Sequence, residues 1–163
     1  MGEPTPEAPR MPRLYGVPTD ASGAELLPWS WAVEQLTSAR NYWVCTTRSD
    51  GRPHTAPVWG VWLDDAVWFS TAPSSVKGRN LARDPRVVIH LESGDDTVIL
   101  EGEAERPSDD AALERFIDLY EEKYGYRIES PRAEHSVFVF KPRVAQTWTE
   151  PDFPRNATRW VFS

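Results

Sequence analysis

Residues 41–63 read NYWVCTTRSDGRPHTAPVWGVWL, and they decide the fold. Asn41–Arg48 is dense in aromatic and β-branched residues, the composition of a strand. Ser49-Asp50-Gly51 is a tight-turn signature and His54–Leu63 resumes the strand pattern, so the stretch predicts a β-hairpin. Downstream, Asp64-Asp65 turns the chain into a strand over Ala66–Ser70. A short helix is predicted from Ser75 to Arg83, stopping at Asp84-Pro85 because a residue before proline resists helical angles. Arg86–Glu92 and Thr97–Glu105 make two more strands, joined by Ser93-Gly94-Asp95-Asp96. The clearest helix follows, capped by Ser108, with Asp109 and Asp110 in its first turn and Gly125 at its end. Its apolar face is Leu113, Phe116, Ile117, Tyr120 and Tyr124; its acids Glu114, Glu121 and Glu122 face solvent. Ser136–Lys141 and Arg143–Thr149 read as two final strands before Arg159–Phe162.

Upstream, Ser30 is the expected N-cap of a first helix running to about Arg40, with Trp29, Ala32, Val33 and Leu36 on one face. Residues 1–28 are rich in proline and acids and are expected to form a flexible N-terminal arm. The rest, 29–163, is one domain. Six or seven mostly antiparallel strands with few helices predict a mainly β fold, a small barrel with helical decorations.

The chain has 163 residues, 40% of them apolar and 26% charged, the balance of a globular domain. Its net charge of −7 and lack of a clustered basic run argue against nucleic-acid binding. No apolar stretch approaches the roughly 20 residues that span a bilayer, and residues 1–13 hold no hydrophobic signal core, so a cytoplasmic location is expected. A lone cysteine excludes an internal disulfide, and three scattered histidines give no metal-ligand spacing. Cys45, between Val44 and Thr46, is expected to pack in the core. Arginine outnumbers lysine 15 to 3, which hints at a GC-rich genome. Eight tryptophans point either to core packing or to a flat, aromatic-lined site.

Chemistry is concentrated in FSTAPSSVKGRN, residues 69–80. A strand ends in two hydroxyl residues and leads to a helix whose first turn holds Lys77. A cation there opposes the helix dipole, at a cost of ~0.5 kcal/mol, unless an anion is bound at that end. A solvated lysine and an anion site are both open on spacing alone. Ala56-Pro57-Val58-Trp59-Gly60 is the second feature: proline inside a strand marks either an ordinary sheet edge or a place where a flat ligand meets one. No nucleophile elbow, P-loop or dinucleotide fingerprint is present. Asp64/Asp65 and Asp95/Asp96 are read as solvated turns, and His54 as either structural or a proton donor.

Four segments in order, TRSDGRPHTAPVW (Thr47–Trp59), FST (Phe69–Thr71), SVKGRNL (Ser75–Leu81) and DPRV (Asp84–Val87), resemble the split-barrel flavin and deazaflavin proteins related to pyridoxamine 5′-phosphate oxidase. ATRWVF (Ala157–Phe162) is similar to the actinobacterial branch that uses coenzyme F420. The resemblance spans roughly 30–162. It implies a homodimer with two cofactor sites at the subunit interface. It places Ala56, Pro57, Val58 and Trp59 on the cofactor ring, and Ser70, Thr71, Ser75 and Lys77 on its phosphate, with Arg79 and Asn80 nearby. Thr97 would reach the ring from the adjacent strand, and Arg159 and Trp160 would come from the C-terminal strand, in one reading that of the partner chain.

The resemblance also carries departures. The flavin oxidases of the family have an arginine before the phosphate lysine and a basic residue on the ring-lining strand, where this chain has Val76 and Val61. Fewer cations disfavour the dianionic phosphate of FMN and favour F420, with its phosphodiester and polyglutamate tail. The residues that hold pyridoxal phosphate find no match, which argues against vitamin B6 oxidation. The expectation is an F420-dependent reductase passing hydride to a conjugated acceptor (an enone, quinone or tetrapyrrole) stacked among Trp59, Trp62 or Trp148. The alternatives are an FMN-binding oxidoreductase, a non-catalytic F420 carrier and a haem binder, although His90 and His135 read as structural.

Overall fold

The computed structural model describes residues 3–10, 12–15, 26–132 and 136–163. Nine strands and three α-helices follow in the order β1 (Thr5–Glu7), α1 (Trp29–Ser38), β2 (Tyr42–Thr47), β3 (Pro53–Val58), β4 (Gly60–Leu63), β5 (Ala66–Thr71), α2 (Val76–Arg83), β6 (Arg86–His90), β7 (Asp96–Glu105), α3 (Asp110–Tyr124), β8 (Ser136–Thr149) and β9 (Thr158–Val161). Every strand pairing is antiparallel. The order β1-β9-β8-β7-β6-β2-β3 runs across the sheet, and β5 joins β8 on the edge that β9 also uses, with β4 beyond it. The mainly antiparallel β architecture expected from the sequence is the one observed.

The long strand β8 holds the two halves together. Its first residues, Ser136–Phe140, pair with β5, while Val144–Thr147 pair with β9. The sequence reading split this strand at Pro142, which cannot donate to a ladder. The structure carries it through with a bulge: Glu101 pairs with Val144 and Gly102 with Pro142, so Arg143 is an extra residue on β8 that absorbs the irregularity. Gly102 is required there, since a Cβ would lie 2.1 Å from the Lys141 carbonyl oxygen. The reverse correction applies to His54–Leu63, read as one strand. It is two, broken at Trp59, where the chain leaves β2 and takes β5 as its partner.

Side-chain alternation along β5 and β8 feeds two apolar layers. Val67, Phe69, Phe138 and Phe140 point into the main core with Tyr42, Val44, Ile89 and Leu100. Trp68, Val137 and Val139 point the other way and are covered by Phe116, Ile117 and Tyr120 of α3. α1 closes the main core with Trp29, Ala32 and Leu36. Trp29 meets Trp160 at 5.4 Å between ring centroids and Phe162 at 5.2 Å, so part of the tryptophan excess is packing.

The N-caps of α1 and α3 differ from the sequence reading by two positions and one. Pro28, not Ser30, precedes α1, and it pre-sets an extended approach without a side-chain bond. Asp109, not Ser108, caps α3, accepting from the amides of Ala111 and Ala112. Cys45 is also corrected. It lies half-buried on the outer face of β2, because Tyr42, Val44 and Thr46 take the inward positions. Within the first 28 residues, Thr5–Glu7 lies along β9, and Glu7 is ion-paired with Arg159. None of the described helices is long and apolar enough to cross a membrane.

Candidate functional site

The turn into α2 is built around Ser75. Its backbone is extended and its Oγ accepts from the Gly78 amide at 3.0 Å, the capping bond expected of serine at this position. Thr71 Oγ1 lies 3.0 Å from the same oxygen, which ties the end of β5 to the helix start. The two hydroxyls hold two protons and their mutual bond uses one, so the other is left to donate outward. Gly78 lets the helix approach the preceding loop, where a Cβ would meet the Ala72 carbonyl oxygen at 2.5 Å.

Lys77, on the first turn of α2, is half-buried and has no carboxylate partner among the described residues. Burial pushes its ammonium below the ordinary lysine range. An unpaired, partly desolvated cation at a helix N-terminus is unfavourable in isolation, and an incoming anion relieves it. Lys77 borders a groove of about 340 Å³ with Pro57, Val58, Trp59, Ser70, Asn41 and Tyr120. The groove is open, and its apolar edge is β3, the outermost strand of its sheet. Pro57 therefore sits on a sheet edge, and that edge forms the wall of a concavity. The two sequence readings of it describe the same place.

The structure brings together Pro57, Val58, Trp59, Ser70 and Lys77, with Ala56 half-buried one residue before them and Thr71 and Ser75 behind the lysine. Asn80 is buried and donates to Thr46 Oγ1 at 2.9 Å, so it anchors α2 to β2 rather than facing the groove. Arg79 donates to the Ser74 carbonyl. Within one chain, Thr97, Arg159 and Trp160 lie elsewhere. Thr97 donates to the Gly94 carbonyl at 2.8 Å and lines a separate depression with His90 and Trp148. Trp160 is a core residue whose indole donates to Thr147 Oγ1 at 2.9 Å, and Arg159 holds Glu7.

Three side chains named from the sequence have other surroundings. His54 faces Thr46 with Nδ1 3.4 Å from its hydroxyl, and burial together with the charges of Arg48 and Lys77 holds its pKa below the usual histidine value. It is therefore neutral at pH 7 and poorly suited to donate a proton. Val61 is buried beneath α3, so it is not a ring-lining position, and the absence of a cation there says nothing about a cofactor. Trp62 packs on Trp29, leaving Trp59 as the tryptophan on the groove. His135 lies outside the described residues.

Sequence reasoning missed Asn41 and Tyr120 as groove residues, and it missed two arginines. Arg48 and Arg52, on either side of the β2–β3 turn, join Arg79 and Arg83 around a depression of about 330 Å³ beside Val76. Of these four, Arg52 is paired with Asp50 at 2.8 Å. The turn signature at Ser49-Asp50-Gly51 carried this information, since a tight turn after six strand residues returns Arg52 to the same end of the sheet as α2.

A model of the pyridoxamine 5′-phosphate oxidase family matches residues 32–149. The chain belongs to this family. Among solved structures, a conserved hypothetical protein of Mycobacterium tuberculosis, Rv2991, is similar at 26% identity with a TM-score of 0.66, covering 79% of this chain and 88% of its own. A haem-binding protein of Mycobacterium smegmatis is similar at 25% identity with a TM-score of 0.59, over 76% of this chain and 55% of its own. A protein described as an F420 reductase shares the fold at 21% identity and a TM-score of 0.52, over 69% and 94% of the two chains. No curated protein matches the sequence significantly. The fold is thus that of the pyridoxamine 5′-phosphate oxidase-like split barrels.

Proposed function

We propose that the chain is an F420-dependent oxidoreductase that acts on a conjugated organic acceptor as a homodimer in the cytoplasm. The observation that carries this reading is the run of positive charge without carboxylate partners among the described residues: Lys77 on the groove, then Arg79, Arg83 and Arg48 around a second depression, where Arg52 is paired with Asp50. A terminal phosphate needs a compact cluster of cations. A phosphodiester followed by a chain of carboxylates needs a strip of them. Val76, where the flavin oxidases hold an arginine, separates Lys77 from that compact pattern.

The residues present fit such a group. Lys77 and the outward proton of the Thr71–Ser75 pair would hold the phosphodiester, and Pro57, Val58 and Trp59 would bear on the ring system. When bound, the reduced deazaflavin supplies hydride. The chain's own part is orientation and exclusion of water along the apolar edge of β3. His54, held neutral, keeps positive charge from building up beside Lys77.

The proposed second copy covers the outer face of β2, β6, β7 and β8, where Trp43, Val88, Ile99, Val144 and Trp148 stand half-buried. Dimerisation through this face supports a role for Thr97 in a neighbour's site. The proposed folding unit is 29–163, with 1–28 as an arm of which Thr5–Glu7 lies along β9. Fluorescence titration with F420 and with FMN in parallel tests the assignment. Saturable quenching at low micromolar F420 with negligible FMN binding, followed by acceptor-dependent oxidation in stopped flow, is expected. Preference for FMN assigns the flavin chemistry common in this family. Tight F420 binding with no acceptor-dependent turnover assigns a carrier.

A further inference from the structure

The last turn of α3 grips the break between β3 and β4. The Gly60 amide donates to Tyr124 Oη at 3.0 Å. The same hydroxyl lies 2.8 Å from two acceptors, the carbonyl oxygens of Gly60 and Arg40. One hydroxyl has one proton and serves one of these oxygens at a time. A second donor is present: Lys123 Nζ is 3.1 Å from the Gly60 oxygen. Its other neighbours are the Thr37 carbonyl at 3.4 Å and Tyr42 Oη at 3.5 Å. Tyr42 Oη gives its own proton to Leu36, so its lone pair is free to accept.

The ammonium therefore has three protons and three acceptors, with no carboxylate partner among the described residues. The rings of Tyr42 and Tyr124 lie 5.2 and 5.4 Å from Nζ and supply the attraction that a counter-ion would otherwise provide. Trp59 precedes Gly60 and is stacked on Tyr124 at 4.7 Å with an interplanar angle of 4°. Tyr120 abuts both rings and lines the groove beside Trp59. The backbone at this point has little slack, since a Cβ on Gly60 would sit 2.8 Å from the Trp68 carbonyl oxygen.

We infer that Lys123 is a positioning residue for the groove: through the Gly60 carbonyl it fixes the Trp59 bend, and with it the aromatic wall that a bound ring system meets. The inference rests on the groove being the binding site. Lys123 touches no groove surface itself and acts through Trp59 and Tyr124. Burial lowers its pKa to about 8. Loss of its proton leaves two donors for three acceptors and ends the attraction to both rings. The other titratable or charged groups around it are Tyr42 on β2, Tyr120 and Tyr124 on α3, Arg40 after α1 and Lys77 across the groove, while β4 contributes backbone only. Burial raises the pKa of all three tyrosines, so none of them titrates near pH 8.

The test is ¹⁹F NMR of the full chain labelled with 5-fluorotryptophan, the Trp59 resonance being assigned by its loss in Trp59→Phe. In the unaltered protein this resonance is expected to move with a midpoint near pH 8. In Lys123→Met it is expected at a displaced, pH-independent position. In Lys123→Arg, charged throughout, it is expected to stay near the low-pH position. F420 and FMN titrations of the same samples should show about tenfold weaker binding in Lys123→Met, the scale of one lost charge-assisted hydrogen bond. A Trp59 resonance that is static through pH 8 in the unaltered protein, or that titrates equally in Lys123→Met, overturns the inference. A titrating resonance without binding of either coenzyme upholds the positioning and removes the cofactor assignment.

Discussion

Lys77→Met is the perturbation that most directly probes the charge at the groove floor. The side chain keeps its length and apolar stem and loses only the ammonium. In the free protein that ammonium is half-buried without a counter-charge, and its pKa is lowered by burial. The unfolded chain then binds more protons than the folded one through the upper pH range, so this lysine lowers stability at neutral pH and the deficit fades as pH rises. Lys77→Met is accordingly expected to leave the unfolding midpoint in urea unchanged or raised at pH 7. It should also flatten the rise of stability toward alkaline pH.

Binding goes the other way. A charge-assisted bond to an anionic ligand contributes about 1.5–3 kcal/mol, so the F420 dissociation constant should rise roughly 10- to 150-fold. The salt dependence of binding should weaken at the same time. Fluorescence titration at two ionic strengths, with urea unfolding at pH 7 and at alkaline pH alongside, reads all four effects. An F420 affinity within twofold of the unaltered protein would refute the placement of the anion at α2.

Other consequences are more local. His54→Gln should keep acceptor-dependent turnover within about twofold at pH 7, because the imidazole it replaces is already neutral; a tenfold loss in stopped flow would make His54 a participant. Asn80→Ala removes the buried bond to Thr46 and should destabilise the fold by about 1–3 kcal/mol in urea unfolding. Gly102→Ala drives a Cβ into the Lys141 backbone beside the β8 bulge, so a loss of several kcal/mol or insoluble expression is expected, and a normal unfolding midpoint would contradict the bulge geometry. Trp43→Glu, on the outer sheet face, should yield a monomer in analytical ultracentrifugation while keeping the far-ultraviolet spectrum; an unchanged dimer would move the interface elsewhere.

The strands and helices were legible because their signals are local. Val44, Thr46 and Tyr42 alternate with Trp43 and Cys45, and Ser75 and Gly125 mark a helix start and a helix end in the conformations their chemistry favours. What failed was long-range. Pro142 reads as a strand break until the bulge at Arg143, seen only against β7, is known, and Trp59 reads as mid-strand until β5 is known to replace β2 as the partner. The groove was half legible. Lys77 and Pro57 each violate a local rule, and both violations fall in one concavity. Tyr120 breaks no rule, since its helical spacing is met by packing alone, and only α3's position over β4 brings it to the groove. Trp160 shows the converse: its motif suggested a cofactor contact, and within one chain its indole is occupied by Thr147.

The exposed edge of β3 has a further consequence for how copies of this protein meet. Pro53 and Pro57 are four residues apart on that strand, so both lie on the same side of it, and prolines in edge strands keep their ring nitrogen outward. An approaching strand would find, between Pro53 and Pro57, one amide where a ladder needs three. The edge therefore cannot template the addition of another chain, which guards against runaway sheet growth in a protein with so much β structure. Under the proposed dimer, copies meet on the flat of the sheet instead of at this edge.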